Sequence, residues 1–202
     1  MNLITIPYTA YEMGLPQSGQ HILGQLIGKN IIVYQAFNPD IAEYAVKNQQ
    51  LGGNAYSFTR MTWIKPNFLW MMYRAGWATK PNQERILAIE IPLLVLKDLI
   101  KQGVYTSYKK DIYPNQEAWQ QAMSQTEVRL QWDPDHSPTG KKLERRAIQI
   151  GMKGEIAKKY ATEWIVAIQD ITNFVLEQGQ KIQTSDLASL EVIQEELIPI
   201  TL

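Results

Sequence analysis

Cysteine is missing from the 202 residues, which excludes disulfides, thiolate nucleophiles and cysteine-based metal sites. Histidine is scarce, with His21 and His136 the whole supply. A zinc or iron site would need both of them together with carboxylates, so no metal is expected. A Ser-His-Asp triad would have to draw on the same two. His136 lies in the turn-rich "DPDHSPTG" and reads as a solvated loop histidine. Asp133 and Asp135 of that stretch have the residue type for magnesium, but "DPD" reads first as a rigid turn. Neither sign of charge is in excess. Lysine and arginine number 20, aspartate and glutamate 20, so the surface as a whole is no electrostatic trap for nucleic acid or acidic membranes. A local basic patch stays open. Apolar runs of membrane-spanning length are absent. The opening "MNLITIPYTAYEMG" has no basic region followed by a long apolar run, as a signal peptide would. A soluble, cytoplasmic protein without membrane association is expected.

Familiar nucleotide and hydrolase motifs are lacking too. There is no GxGxxG after a strand, no GxxxxGK[ST] and no GxSxG. Gly151 and Gly154 of "GMKGE" shape a strand-to-helix turn rather than a phosphate loop.

What is present is ordinary globular composition, 45% apolar and 20% charged, in a chain long enough for one sizeable domain over residues 1–202. Residues 1–29, with Gly14, Pro16, Gly19, Gly24 and Gly28, read as an irregular lead-in. "NIIVYQAF" is a buried strand. Asn38 caps and Pro39 opens the helix that follows, which Gly52 and Gly53 close. "SFTRMTWI" is extended, and Pro66 starts "PNFLWMMYRAG". The strand "RILAIEI" leads into the helix "PLLVLKDLIKQG", and "NQEAWQQAMSQ" is a helix capped by Asn115. The strands "TEVRLQW" and "RRAIQIG" flank the "DPDHSPTGKKLE" loop. "EIAKKYATEWIVAIQDIT" is one amphipathic helix, and a last helix over about 185–197 is capped by Ser185. Neighbouring strands late in the chain make this an α+β fold, a mixed, mainly antiparallel sheet with flanking helices.

Three groups of residues have the types that bind ligands. In "VYQAFNP", Tyr34 and Gln35 end a strand beside a helix N-terminus, where an anion or amide can bind. The bland reading makes Gln35 an interior amide that satisfies backbone groups. In "TRMTWIKPNFLWMMYRAGW", Arg60, Lys65 and Arg74 stand among Trp63, Trp70, Tyr73 and Trp77, with no carboxylate to cancel them. Cations of this kind neutralise phosphates, and aromatic faces stack on bases. Phe68, Leu69, Met71 and Met72 of the same stretch read as core. In "VRLQWDP" and "RRAIQIG", Arg129, Gln131, Asp133, Arg146 and Gln149 form polar strand faces. These are either a solvated surface or a hydrogen-bonding floor for a ligand.

"IIVYQAFNPDIAEYAV", "TRMTWIKPNFLWMMYRAGWATKPNQERILAIEI", "VRLQWDPD" and "RRAIQIGMKGE" resemble, in this order, the family known as domain of unknown function 4291, over residues 20 to 175. The layout is in turn similar to that of the ADP-ribosyltransferase superfamily. There an early strand ends in Tyr-Arg-Gly or Tyr-His-x-Thr, which "VYQAF" resembles, with Gln35 in place of the Arg or His. This resemblance implies pentosyl transfer from NAD to nucleic acid or protein. It implies Gln35, Gln131 and Gln149 as catalytic residues, and Tyr34, Arg60, Trp63, Lys65, Trp70, Arg74 and Arg146 as cofactor contacts. Two departures stand against it. The late-strand glutamate of the superfamily is replaced by Gln131 or Gln149, with Glu127 as an alternative acid. An arginine upstream of the first strand is replaced by Leu23, leaving His21 or Lys29 to do its work. The same aromatic and basic residues equally suit a non-catalytic module for a nucleotide or single-stranded nucleic acid.

Overall fold

Residues 1–200 are described by the structure, a computed structural model. The lead-in carries β1 (Thr5–Pro7), α1 (Tyr8–Met13), β2 (Gly19–Gln20), β3 (Leu23–Gly24) and β4 (Leu26–Ile27). Then come β5 (Asn30–Phe37), α2 (Pro39–Asn48), β6 (Thr62–Ile64), α3 (Phe68–Ala75), β7 (Arg85–Pro92), α4 (Leu93–Gln102), β8 (Val104–Tyr105) and α5 (Gln116–Gln125). The remainder holds β9 (Val128–His136), β10 (Lys142–Met152), α6 (Gly154–Lys159), a π-helical turn (Tyr160–Trp164), β11 (Ala167–Asp170), α7 (Thr172–Gln183), β12 (Glu191–Ile193) and β13 (Glu196–Leu197).

The expected α+β class holds. One sheet has the order β11-β7-β5-β4, and all its pairs are antiparallel. The other has the order β2-β10-β9-β8, with β6 also on β10. Its β10–β9 and β10–β6 pairs are antiparallel, and its β2 and β8 edges parallel. β5 is apolar at successive positions because both its faces are covered. Ile31 and Val33 face one core cluster with Leu87, Ile89 and Ile150, while Ile32 and Tyr34 face another with Phe68, Met72 and Ile86. The two sheets meet at β6. Its Ile64, Trp63 and Thr62 pair with β10, and the next residue, Lys65, accepts a 2.7 Å hydrogen bond from the Tyr34 amide of β5. Two of the expected helix caps form, Asn38 and Asn115 accepting from the amides of Ile41 and Ala118, and Asn67, not expected, caps α3 by accepting from the Trp70 amide, while the cap expected at Ser185 has no helix to close. No helix is long and apolar enough to cross a membrane among the described residues.

Four expectations are corrected. The lead-in is not irregular. Its elements are too short to carry a periodicity, and their partners lie far along the chain, β1 on β12 and β3 on β13. The amphipathic helix expected over residues 155–172 stops at Lys159, and after the π-helical turn the β-branched "AIQD" pairs with β7 as β11. The helix expected over about 185–197 is replaced by β12 and β13, because Val192 and Ile193 are buried and pair with the lead-in. The "DPDH" turn continues β9. Asp135 is buried, and the His136 ring is buried and stacked on Tyr73 with centroids 3.5 Å apart.

Arg145, 1% exposed, ties these parts together. It donates to Asp135 at 2.6 Å and to Glu12 at 2.9 Å, pinning the lead-in to the β9–β10 hairpin. Burial raises the Asp135 carboxyl, and Arg145 beside it opposes that rise. Replacing Arg145 by Met leaves a buried carboxylate without its countercharge. We expect Arg145→Met to lower the unfolding free energy by about 3–5 kcal/mol in urea titrations, and the Arg145→Met/Asp135→Asn pair to recover part of it.

Candidate functional site

Where β5 leaves the core its last residues turn outward, and α2 begins directly after them. Beside this junction is a cavity of about 740 Å³. Its walls are the β5–α2 junction, the segment from Ala55 to Lys65, Met71 and Arg74 of α3, Asn82 and Gln83 before β7, and Gln149 of β10. Its charged lining residues are Arg60, Lys65 and Arg74, with no aspartate or glutamate. None of these three side chains has an ion-pair or hydrogen-bond partner among the described residues. Asn38, the cap of α2, lines the same cavity, so a helix N-terminus with its partial positive charge opens onto it.

Lys65 is the unusual member. It is 6% exposed, and its Nζ lies 5.2 Å from the centre of the Trp70 ring. Burial pushes its pKa down to about 7. Arg74 adds to the fall, and Asp133 partly offsets it. An ammonium in such a place is costly to the fold unless a ligand supplies the missing charge.

Gln35 is an interior amide. Its Nε2 donates to Thr62 Oγ1 at 2.7 Å and to the Trp63 carbonyl at 3.2 Å, and its Oε1 accepts from Tyr160 at 2.8 Å. The Trp63 carbonyl, which can only accept, fixes which way the amide faces. Thr62 Oγ1 is therefore an acceptor from Gln35, and its own proton is left to donate. Its neighbour in the lining is Tyr56, whose hydroxyl is raised by burial and lowered in part by contact with Thr62.

The two late glutamines grip one carboxylate. Gln131 Nε2 donates to Asp133 Oδ1 at 2.9 Å, and Gln149 Nε2 donates to Asp133 Oδ2 at 2.8 Å. Gln131 and Gln149 are register partners, and Asp133 lies two residues on, so strand alternation puts all three on one face. Gln149 lines the cavity and Asp133 stands one hydrogen bond behind it. With its Nε2 turned to a carboxylate, Gln149 presents its carbonyl oxygen the other way, polarised by that contact. Trp63 lies on Gly151, its register partner, where a Cβ would come within 2.8 Å of the indole.

Of the residues singled out from sequence, the cavity gathers Gln35, Arg60, Trp63, Lys65, Arg74 and Gln149. Gln131 reaches it only through Asp133. Trp70 is buried beneath Lys65. Tyr34 is fully buried on the opposite side of β5, edge-on to Phe68. Arg146 is exposed on β10, outside the lining. The three tryptophans do not converge, since Trp77 packs on Phe68 and donates to the Pro138 carbonyl. Glu127, the alternative acid, is committed elsewhere and accepts from the Glu155 and Ile156 amides at the start of α6. His21 contacts the Ser18 carbonyl, and Lys29 is outside the lining. Sequence reading missed Tyr56, Thr62, Tyr160 and the position of Asp133 behind Gln149. The Asp133 signal was available in its spacing from Gln131. Tyr160 gave none, being 125 residues from Gln35.

A family model described as Domain of unknown function (DUF4291) matches residues 21–199, a span that contains the whole cavity lining. No curated protein matches the chain.

Lys65 makes the cost of this site measurable. Its folded pKa of about 7 lies below the unfolded value, so between the two the unfolded chain holds more protons and stability rises with pH. We expect Lys65→Met to raise the unfolding free energy by about 2–4 kcal/mol at pH 7 and to flatten the rise between about pH 7 and 10, read from urea titrations across that range.

Proposed function

We propose that this chain, which belongs to the DUF4291 family of unknown function, binds a phosphorylated nucleotide in the cavity, and that its substrate is NAD, from which it transfers ADP-ribose. The observation that carries the reading is the lining itself, with three cations lacking partners and no acid. A site built this way is complementary to phosphate, and guanidinium groups bind phosphate oxygens in pairs. Its size is that of a small-molecule pocket. Trp63 and Tyr56 offer aromatic faces for a base or nicotinamide ring, and Asn38, Asn82, Gln83 and Gln149 offer amides for ribose hydroxyls and a carboxamide.

In the transfer reaction the glycosidic C–N bond breaks, nicotinamide leaves with the bonding pair, and an acceptor in nucleic acid or protein adds to the ribose carbon and loses its proton to solvent. The developing positive charge needs an oriented negative dipole. On this reading Gln149 supplies it, through a carbonyl oxygen backed by the Asp133 carboxylate. Arg60 and Arg74 hold the pyrophosphate. Gln35 acts by positioning Thr62 rather than by touching the substrate.

One observation favours a second reading, a non-catalytic module for a nucleotide or single-stranded nucleic acid. No carboxylate lines the cavity among the described residues, and Asp133 is held behind Gln149.

Titration with NAD, AMP and a short single-stranded oligonucleotide, followed by tryptophan fluorescence and paired with an assay for released nicotinamide, separates the two. We expect saturable NAD and AMP binding, weakened about 10- to 100-fold in Arg74→Gln, and nicotinamide release that Gln149→Leu abolishes while AMP still binds. AMP and oligonucleotide binding without nicotinamide release would leave the binding module standing. No response to any of the three would reject both.

A further inference from the structure

Arg60 and Arg74 are exposed side chains at the cavity, of the kind that hold phosphates, whereas Lys65 is a buried amine reached through it. A phosphate needs the first two. The third has a different chemical character. It has no carboxylate partner, rests on an indole face, and shares the lining with Arg74, whose charge disfavours its own and is partly offset by Asp133. Lysines desolvated beside another cation are the ones that act as nucleophiles.

We propose that Lys65 is a reactive amine, and that the cavity accepts a phosphorylated aldehyde or ketone whose carbonyl carbon condenses with Lys65 Nζ to form an imine. The proposal shares the phosphate-binding reading of Arg60 and Arg74 but does not depend on NAD. The Nζ lone pair adds to the carbonyl carbon as the C=O π pair moves onto oxygen, and the amine proton moves to that oxygen. The carbinolamine then expels water and the C=N bond forms. The carbinolamine's remaining N–H proton goes to the departing oxygen, and the Thr62 hydroxyl, which lines the same cavity, can relay it, giving its own proton and taking that one in return.

The proton balance favours this lysine over the rest. Burial pushes Lys65 down to about 7, so its uncharged amine is available near neutral pH. An ordinary lysine is uncharged there in about one molecule in 2,500.

The test uses pyridoxal 5′-phosphate as the probe on the full chain at pH 7, with borohydride to reduce any imine to a stable amine, and peptide mapping by mass spectrometry. The expected result is one saturable label per chain at Lys65, formed at least tenfold faster than at Lys110 or Lys158. Inorganic phosphate should slow it, as should Arg74→Gln. Lys65→Met should lose the fast label while its tryptophan emission and thermal unfolding report an intact fold. Lys65 labelled no faster than the surface lysines would overturn the proposal. Fast labelling indifferent to inorganic phosphate would overturn the phosphorylated substrate class. Labelling at Lys65 with no NAD response would reject NAD as the ligand and keep the imine. An NAD response with no labelling would do the reverse.

Discussion

A single backbone hydrogen bond, from the Tyr34 amide to the Lys65 carbonyl, joins the two sheets at the point on which the cavity depends. β6 is three residues long and has β10 on one side. Without the Lys65 contact its other side would be an open strand edge, exposing groups that invite misplaced pairing. With it, β5 and β10 are held at a fixed separation by a strand one residue wide. The Gln35 amide crosses the same seam by side chain, reaching Thr62 and Trp63 of β6 and Tyr160 beyond β10. Main-chain and side-chain bonds thus converge on a few residues of β5 and β6, several of which line the cavity.

α3 forms the wall that carries Arg74, and its start is secured twice. Asn67 caps it locally. Glu195, buried, accepts from the Phe68 amide, the Tyr11 hydroxyl and the Asn67 amide. Burial pushes the Glu195 carboxyl up to about 8, although Tyr11 and Phe68 donate to it. A negative or hydrogen-bonded carboxyl at a helix start complements the helix dipole. The same helix supplies Trp70, whose ring supports Lys65. An acid from the far end of the chain therefore helps to hold the surface on which the unpartnered amine rests.

Much of this was legible in residue patterns. The strands β5, β6, β7, β9 and β10, the asparagine caps at Asn38 and Asn115 and the cationic segment from Arg60 to Arg74 follow from local chemistry, and local chemistry decided them. The misses share a cause. "AIQD" and "EVI" take strand form because partners more than 70 residues away are waiting for them, and no window of sequence contains that partner. His136 and Asp135 sit in turn-forming company, yet Arg145 and Tyr73 draw them into the interior. At the site, the glutamines were visible as residues but not as a pair closing on Asp133, since that depends on the register of β9 against β10. Tyr34 and Gln35 are neighbours in sequence and opposites in space, because successive strand residues face opposite ways.

β1 pairs with β12 across 186 residues, Thr5 against the strand that Glu191 opens. A ribosome adding about 5–20 residues per second needs roughly ten to forty seconds to pass from one to the other. Through that interval the first strand has no partner, and neither does the edge of β3 that β13 will cover. The nascent chain can build its β5–β7 hairpin early, and the residues that line the cavity are all made by Gln149, but the lead-in is covered only when synthesis reaches β12. The order of translation thus makes the two pairings of the lead-in with the late strands the last to form.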